Sequence, residues 1–385
     1  RGRSVTRRSS SVARSARDKL SEVYSARDFG SLGTSSSDAA ANTVVIQKAI
    51  DAASQSSATS KSIYIPPAAF WTAGPINIAS GVRLFGDGKQ KCCLRPNGNF
   101  KAVAINTVDS VTLEDFAILF TGAVAPGAIC VAIDGASNIG SRIVNMGLYS
   151  ADVAAQFTTA SYFVVDGNLI QDFATAGISN ENVLNPDAGD NVITNNTIDT
   201  NLPGPVKGIA HKSGGGLRCI ANKILKCVYG IDMKYTGSAV ASDSIIALNS
   251  IEGPGDRSCL GMKLSRTTST GIWLHVQVAL NQITMMPDAA VGIFVPRDPV
   301  APWIEDAQFN SNMIRTGSGA AVGMDLASIT GLSALTNHFN SSSATTIAQR
   351  IDASVSNGLV GLSLKNGPFS PSINGSASTT TVAPF

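Results

Sequence analysis

Asp199 and Glu252 each stand three residues after an asparagine, Asn196 and Asn249, that belongs to a recurring series. If the chain coils so that these asparagines stack, the two acids fall two windings apart on one outward column, with backbones ~9 to 10 Å apart. Carboxyl groups about 6.5 to 9.5 Å apart are what an inverting glycosidase uses, one as acid and one as base for the attacking water. The full column reads Gln171, Asp199, Leu225, Glu252, Thr284 and Arg315, with Asp172 and Asp256 in nearby turns. The competing reading is two solvated acids near turns.

A second set lies in a glycine-led block. Its outward positions read Ser179, Ala210, Asp232, Lys263, Phe294 and Asp325, and two residues later Glu181, Lys212, Lys234, Ser265, Pro296 and Ala327. Asp232 is expected among Lys212, Lys234 and Lys263, where it stays ionised and makes a poor general acid. Such a patch suits polysaccharide contact, or is an ordinary surface ion-pair cluster. With Tyr235 it would also be the place for a lyase base. Trp273 and Trp303, in longer turns, can stack on a sugar face or fill a subunit interface. His211 is expected to be a packed, hydrogen-bonded histidine, because its column otherwise holds Met233, Leu264, Val295 and Leu326. His275 and His338 have no carboxylate partner evident in sequence. Six cysteines without C-x-x-C spacing read as reduced, packed thiols. There is no phosphate-binding glycine loop or nucleophile elbow, and the reading calls for no metal and no cofactor.

What must position these residues is a repeat. Asn168, Asn196, Asn222, Asn249, Asn281, Asn312 and Asn337 recur every 25 to 32 residues, the range of solenoid repeats. Two positions after each stand Ile170, Ile198, Ile224, Ile251, Ile283, Ile314 and Phe339; three before stand Val165, Ile193, Cys219, Ile246, Val278, Phe309 and Ala334. The later block begins with Gly177, Gly208, Gly230, Gly261, Gly292 and Gly323, then alternates apolar and polar as strands do. A leucine-rich repeat is the rival, since "IIALNSI" and "QVALNQI" resemble its strand. Columns of Ile and Val and an extended second half favour an all-β, right-handed parallel β-helix, its Ile columns stacked and its asparagines forming an amide ladder.

Such a solenoid must cover its open end. Residues 38–53, "DAAANTVVIQKAIDAA", supply a short N-terminal capping helix, with Asp38 as N-cap and Ile46, Ala49, Ile50 and Ala53 as its apolar stripe. The bulk properties agree with a solenoid that buries much of itself. Of the 385 residues 15% are charged and 44% hydrophobic, yet no apolar run approaches the ~20 residues that cross a bilayer. A soluble protein without membrane insertion is the expectation. Net charge is +2, but six arginines and no acid occupy the first seventeen residues, so the remainder carries 2 minus 6, or −4. That arm lacks the apolar stretch of a secretory signal and reads as a flexible linker or a segment that orders on a partner; nucleic-acid binding is the sharper alternative. The missing initiator Met points to an N-terminus that lies upstream or was removed.

"DKLSEVYSARDFGSLG", the helix, and "IYIPPAAFWTAGPINIASGVRLFGDG" together resemble the pectate-lyase-like β-helix module of phage tailspike proteins. Asp28, Phe29 and Gly30 match the entry signature, and Gly86 and Gly88 the glycine pair of the later turn. The resemblance covers residues 18–95, with the coils after it to about 365. One departure is "GTSSSDAAAN", where relatives carry an acidic, glycine-containing loop. The resemblance implies a homotrimer, docked to virion tail or adaptor proteins through its N-terminal arm, that binds host-cell-surface polysaccharide along its flanks after assembly in the host cytoplasm. The chain divides into a basic arm (1–27), the cap and first strands (28–95), the coils (96–365) and an extended terminal segment (366–385). The functional expectation is a viral tailspike or tail-fibre protein that binds polysaccharide and can cleave it, as a hydrolase rather than a lyase. A non-catalytic structural or adhesive spike, and a secreted polysaccharide lyase or epimerase, are the alternatives.

Overall fold

A computed structural model describes residues 23–55, 61–135, 139–158, 160–180, 190–212, 216–235, 240–241, 243–267, 271–285, 290–298, 302–317, 321–343, 345–361, 364–367 and 381–382. The basic arm before residue 23, most of the terminal segment and Glu181 lie outside them. Every strand pair is parallel, and each strand bonds to its equivalent one winding away. The result is the parallel β-helix that the repeat predicts, not a leucine-rich repeat, with one capping helix. Among the described residues, fourteen strands form the face that ends just before the recurrent asparagine (sheet A). Twelve form the face just after it (sheet B), and eleven the glycine-led face (sheet C). A fourth sheet of four strands widens the later coils. Val23–Ser25, inside the segment read as arm, already pairs with Lys61–Tyr64 in sheet A. Thr381–Val382 likewise pairs with Leu359–Gly361.

The asparagine ladder is continuous. The side-chain amide of Asn196 donates to Asn222 Oδ1 at 2.9 Å and to the carbonyl of Val165 at 2.9 Å. Asn222 repeats this toward Asn249, Asn249 toward Asn281, Asn281 toward Asn312 and Asn312 toward Asn337. All seven are buried, so the amides satisfy each other and the backbone of a sharp corner that nothing else would cap. Immediately before each stands a residue at positive φ, among them Asn195, Ala221, Leu248, Leu280, Ser311 and Thr336.

The glycine column has a steric cause. A Cβ on Gly230 would lie 2.5 Å from the carbonyl oxygen of Gly261 and 2.5 Å from Ile251 Cγ2. The same clash recurs down the stack, because here the strand passes close to both the interior Ile column and the backbone of the next winding. All six cysteines are free, five of them buried.

The cap helix α1 (Ala39–Gln55) buries Ile46, Ala49, Ile50 and Ala53 as expected. Its entry differs from the sequence reading. Ser35 rather than Asp38 is the capping residue, and the Asp38 carboxylate accepts the Ser35 N–H at 3.0 Å as the returning half of the box, ahead of a single 3-10 turn.

His211 lies inside the tube, its Nδ1 3.3 Å from the Asn180 amide, and burial pushes its pKa down to about 4. The folded protein therefore binds fewer protons than the unfolded chain between that value and the ordinary 6.5. Its stability is fully present above pH ~6.5 and declines as pH falls, by about 2 kcal/mol at pH 5. Urea denaturation at pH 7 and pH 5 is expected to show that loss. His211→Met, which matches the neighbouring Met233, removes its pH dependence.

Candidate functional site

The strands place the sequence-derived residues on two faces, either side of the turns that lead from sheet B into sheet C. On sheet B the register Gln171, Asp199, Leu225, Glu252 is direct, so the two acids do stand two windings apart on one column. Leu225 stands between them. Asp199 is pinned by Lys226 at 3.5 Å and its side chain is 18% exposed, whereas Glu252 is exposed. Lys226 also donates to Asn201 Oδ1 at 2.8 Å, and Asn201 to Asp172. Beside this network Thr200, Asn201, Lys226 and residues 254–257 line a hollow of about 210 Å³. Asp256 there is held by Arg257, whose hydrogen bond lowers the Asp256 pKa.

On sheet C, Asp232 lies in register between Ala210 and Lys263. It is not the solvated centre of three lysines. Only 7% of it is exposed, and its ion pair is with Lys207, Nζ to Oδ2 2.6 Å, while Oδ1 is buried without a hydrogen-bond partner. Lys207 was not visible in sequence as a member because it precedes the glycine bend and reaches across to the next winding. Lys212 and Lys234 follow the register partners His211 and Met233, so they sit on neighbouring windings one outward position further along. Tyr229 completes the group: Lys207 Nζ and Lys263 Nζ each lie 5.9 Å from its ring centre. A hollow of about 260 Å³ opens beside it, lined by Val228, Tyr229, Ser258, Cys259 and Leu260. One aromatic ring, one carboxylate oxygen in need of a donor, and four lysines thus share three windings.

Trp273 does not belong here. It is 1% exposed, donates Nε1–H to Ser244 Oγ at 3.1 Å, and stacks between Tyr235 and Trp303 at 6.5 and 6.3 Å. The fourth sheet turns these rings inward to fill the wider coils, so Trp273 cannot meet a sugar, and buried Tyr235 is lost to a lyase patch. The sequence also missed the partners of His275: Asp243 lies 3.3 Å from its Nδ1 and Asp306 3.8 Å from its Nε2. All three occupy equivalent positive-φ corners. Among the described residues, no group of three or more His, Cys, Asp or Glu side chains is arranged to hold a metal ion, and no helix is long and apolar enough to cross a membrane.

Residues 23–246, more than half the chain, match the family described as rhamnogalacturonase A/epimerase, pectate lyase-like. The protein belongs to that family. No curated protein matches its sequence significantly. Among solved structures, this pectate-lyase-like chain is similar to DFA-IIIase from Arthrobacter chlorophenolicus A6 in complex with GF2. The TM-score is 0.63 at 14% identity, over 88% of this chain and 94% of that one. It is similar too to PfbA, a surface adhesin of Streptococcus pneumoniae, with a TM-score of 0.62 at 13% identity over 94% and 93%. At such identities the likeness is one of fold.

Proposed function

We propose that this pectate-lyase-like β-helix is a viral tailspike or tail-fibre protein. It acts as a homotrimer, joined to virion tail or adaptor proteins by its basic N-terminal arm, that recognises host-surface polysaccharide on sheet C. The observation carrying the recognition site is Tyr229 set between Lys207 and Lys263, beside the partnerless Oδ1 of Asp232. An aromatic face packs against the apolar side of a sugar ring, and the ammonium groups of Lys207 and Lys263 beside it can donate to the ring's oxygens. The lysines around it raise the local concentration of a charged chain. An adhesin and a protein crystallised with GF2 on the same fold are compatible with binding, with or without cleavage.

Hydrolysis is a second reading, favoured by one observation: Asp199 and Glu252 share an outward column two windings apart, with backbones ~9 to 10 Å apart, from which side chains can reach the spacing of an inverting pair. The scissile bond and attacking water would then lie over Leu225. Incubating the purified protein with capsule or O-antigen of its host separates the readings. Retention on the polysaccharide, weakened at least ~10-fold by Tyr229→Ala, is expected. New reducing ends that vanish in Asp199→Asn or Glu252→Gln add hydrolysis; ultraviolet-absorbing unsaturated ends mean a lyase; retention with neither leaves an adhesin. Failure to retain any host-surface polysaccharide overturns the proposal.

A further inference from the structure

Four windings from Asp199 on sheet B, a hollow of about 180 Å³ is lined by Gln282, Ile283, Thr284, Met313, Arg315, His338 and Asn340. Its walls are two adjacent outward columns in strict register, Gln282–Met313–His338 and Thr284–Arg315–Asn340. It is smaller than the ~300 to 1,000 Å³ of pockets for drug-sized ligands and suits a single small unit. Arg315 is its only fixed charge. Arg315 is exposed and, among the described residues, no carboxylate pairs with it, whereas lysines and arginines such as Lys207, Lys226 and Arg350 are so paired. The nearest acid of its own column, Glu252, stands two windings away, ~9 to 10 Å.

Over the buried Ile283, the lining also holds hydrogen-bonding groups: two amides, a hydroxyl and an imidazole. Met313, 48% exposed, offers the one large apolar surface. A guanidinium fork takes a carboxylate or phosphate on two parallel N–H bonds, which a mobile lysine does not do. Amides and a hydroxyl exchange bonds with ring hydroxyls, and a thioether packs on C–H groups. We infer that this hollow is a separate binding site for one anionic sugar unit, recognised by Arg315 and seated on Met313. It takes its ligand class from the carbohydrate reading above but uses none of the sheet C residues.

The test is a titration of the intact protein, labelled with ¹³C at its methionine methyls, using D-glucuronate, D-glucose 6-phosphate and D-glucose in the millimolar range. The Met313 signal is assigned by its loss in Met313→Leu. It is expected to shift saturably with at least one acidic sugar and not with glucose; the glucuronate and phosphate arms tell which anion is preferred. Arg315→Gln is expected to weaken that binding at least ~10-fold, and Tyr229→Ala to leave it unchanged. A Met313 signal that ignores both acids, answers equally to glucose, or persists in Arg315→Gln overturns the inference. If polysaccharide retention proves independent of Tyr229 while Met313 still titrates, the sheet C proposal fails and this one stands.

Discussion

Asn249→Leu is expected to lower stability by about 3 to 6 kcal/mol, or to prevent folding. Leucine keeps the branched outline but its methyls are bulkier than the amide, so some overpacking adds to the main loss, which is of hydrogen bonds. Asn249 Oδ1 accepts from both the backbone N–H and the side-chain amide of Asn222 at 3.0 Å, and its own amide donates to the Cys219 carbonyl at 2.9 Å and Asn281 Oδ1 at 3.0 Å. All are buried, so the orphaned groups have no water to turn to, and each costs about 1 to 3 kcal/mol. Gln277→Leu, on the exposed side of sheet A, is the control, expected within ~0.5 kcal/mol of the parent. Urea denaturation followed by circular dichroism makes the comparison. Equal midpoints for the two variants would mean that the ladder is decorative.

The glycine column gives the second large effect. Gly230→Ala adds one methyl, yet that methyl meets a backbone oxygen and an Ile methyl at 2.5 Å, and neither can swing aside as a side-chain tip would. Overpacking of this kind costs about 1 to 3 kcal/mol, and Gly230→Val more. The earlier coils place Cys130 and Ala154 where later ones place glycine, so the demand belongs to the later coils alone. Gly255→Ala is the matched control, since nothing lies within 4 Å of its added Cβ. Thermal unfolding of the two variants should separate them by several degrees for a loss of this size.

The fold was legible because stacking imposes identity on columns. Asn168 to Asn337, Ile170 to Ile314 and Gly177 to Gly323 each face the same surroundings on every winding, and so keep one residue type. The acids Asp199 and Glu252 fell on the predicted column for the same reason. Residues outside such columns were harder to place. Lys207 reaches Asp232 by the length of its side chain, which no column encodes. Trp273 was read as a turn residue because its coil is long; the extra length instead makes a fourth face that turns the ring inward. Asp243, His275 and Asp306 meet because corners with positive φ stack even when the turns joining them differ in length, and an alignment on the asparagines does not track that corner. Ser35 displaced Asp38 as the cap because a 3-10 turn precedes the helix.

The proposed recognition rests on sheet C, where Tyr229 lies between Lys207 and Lys263 and Lys207 pairs with Asp232. The most direct test is a crystal structure of the protein soaked with an oligosaccharide from the polysaccharide it retains. A sugar ring packed on Tyr229, with its oxygens accepting from Lys207 or Lys263, is the predicted result. Ordered sugar bound elsewhere, with the Tyr229 face empty, would contradict it.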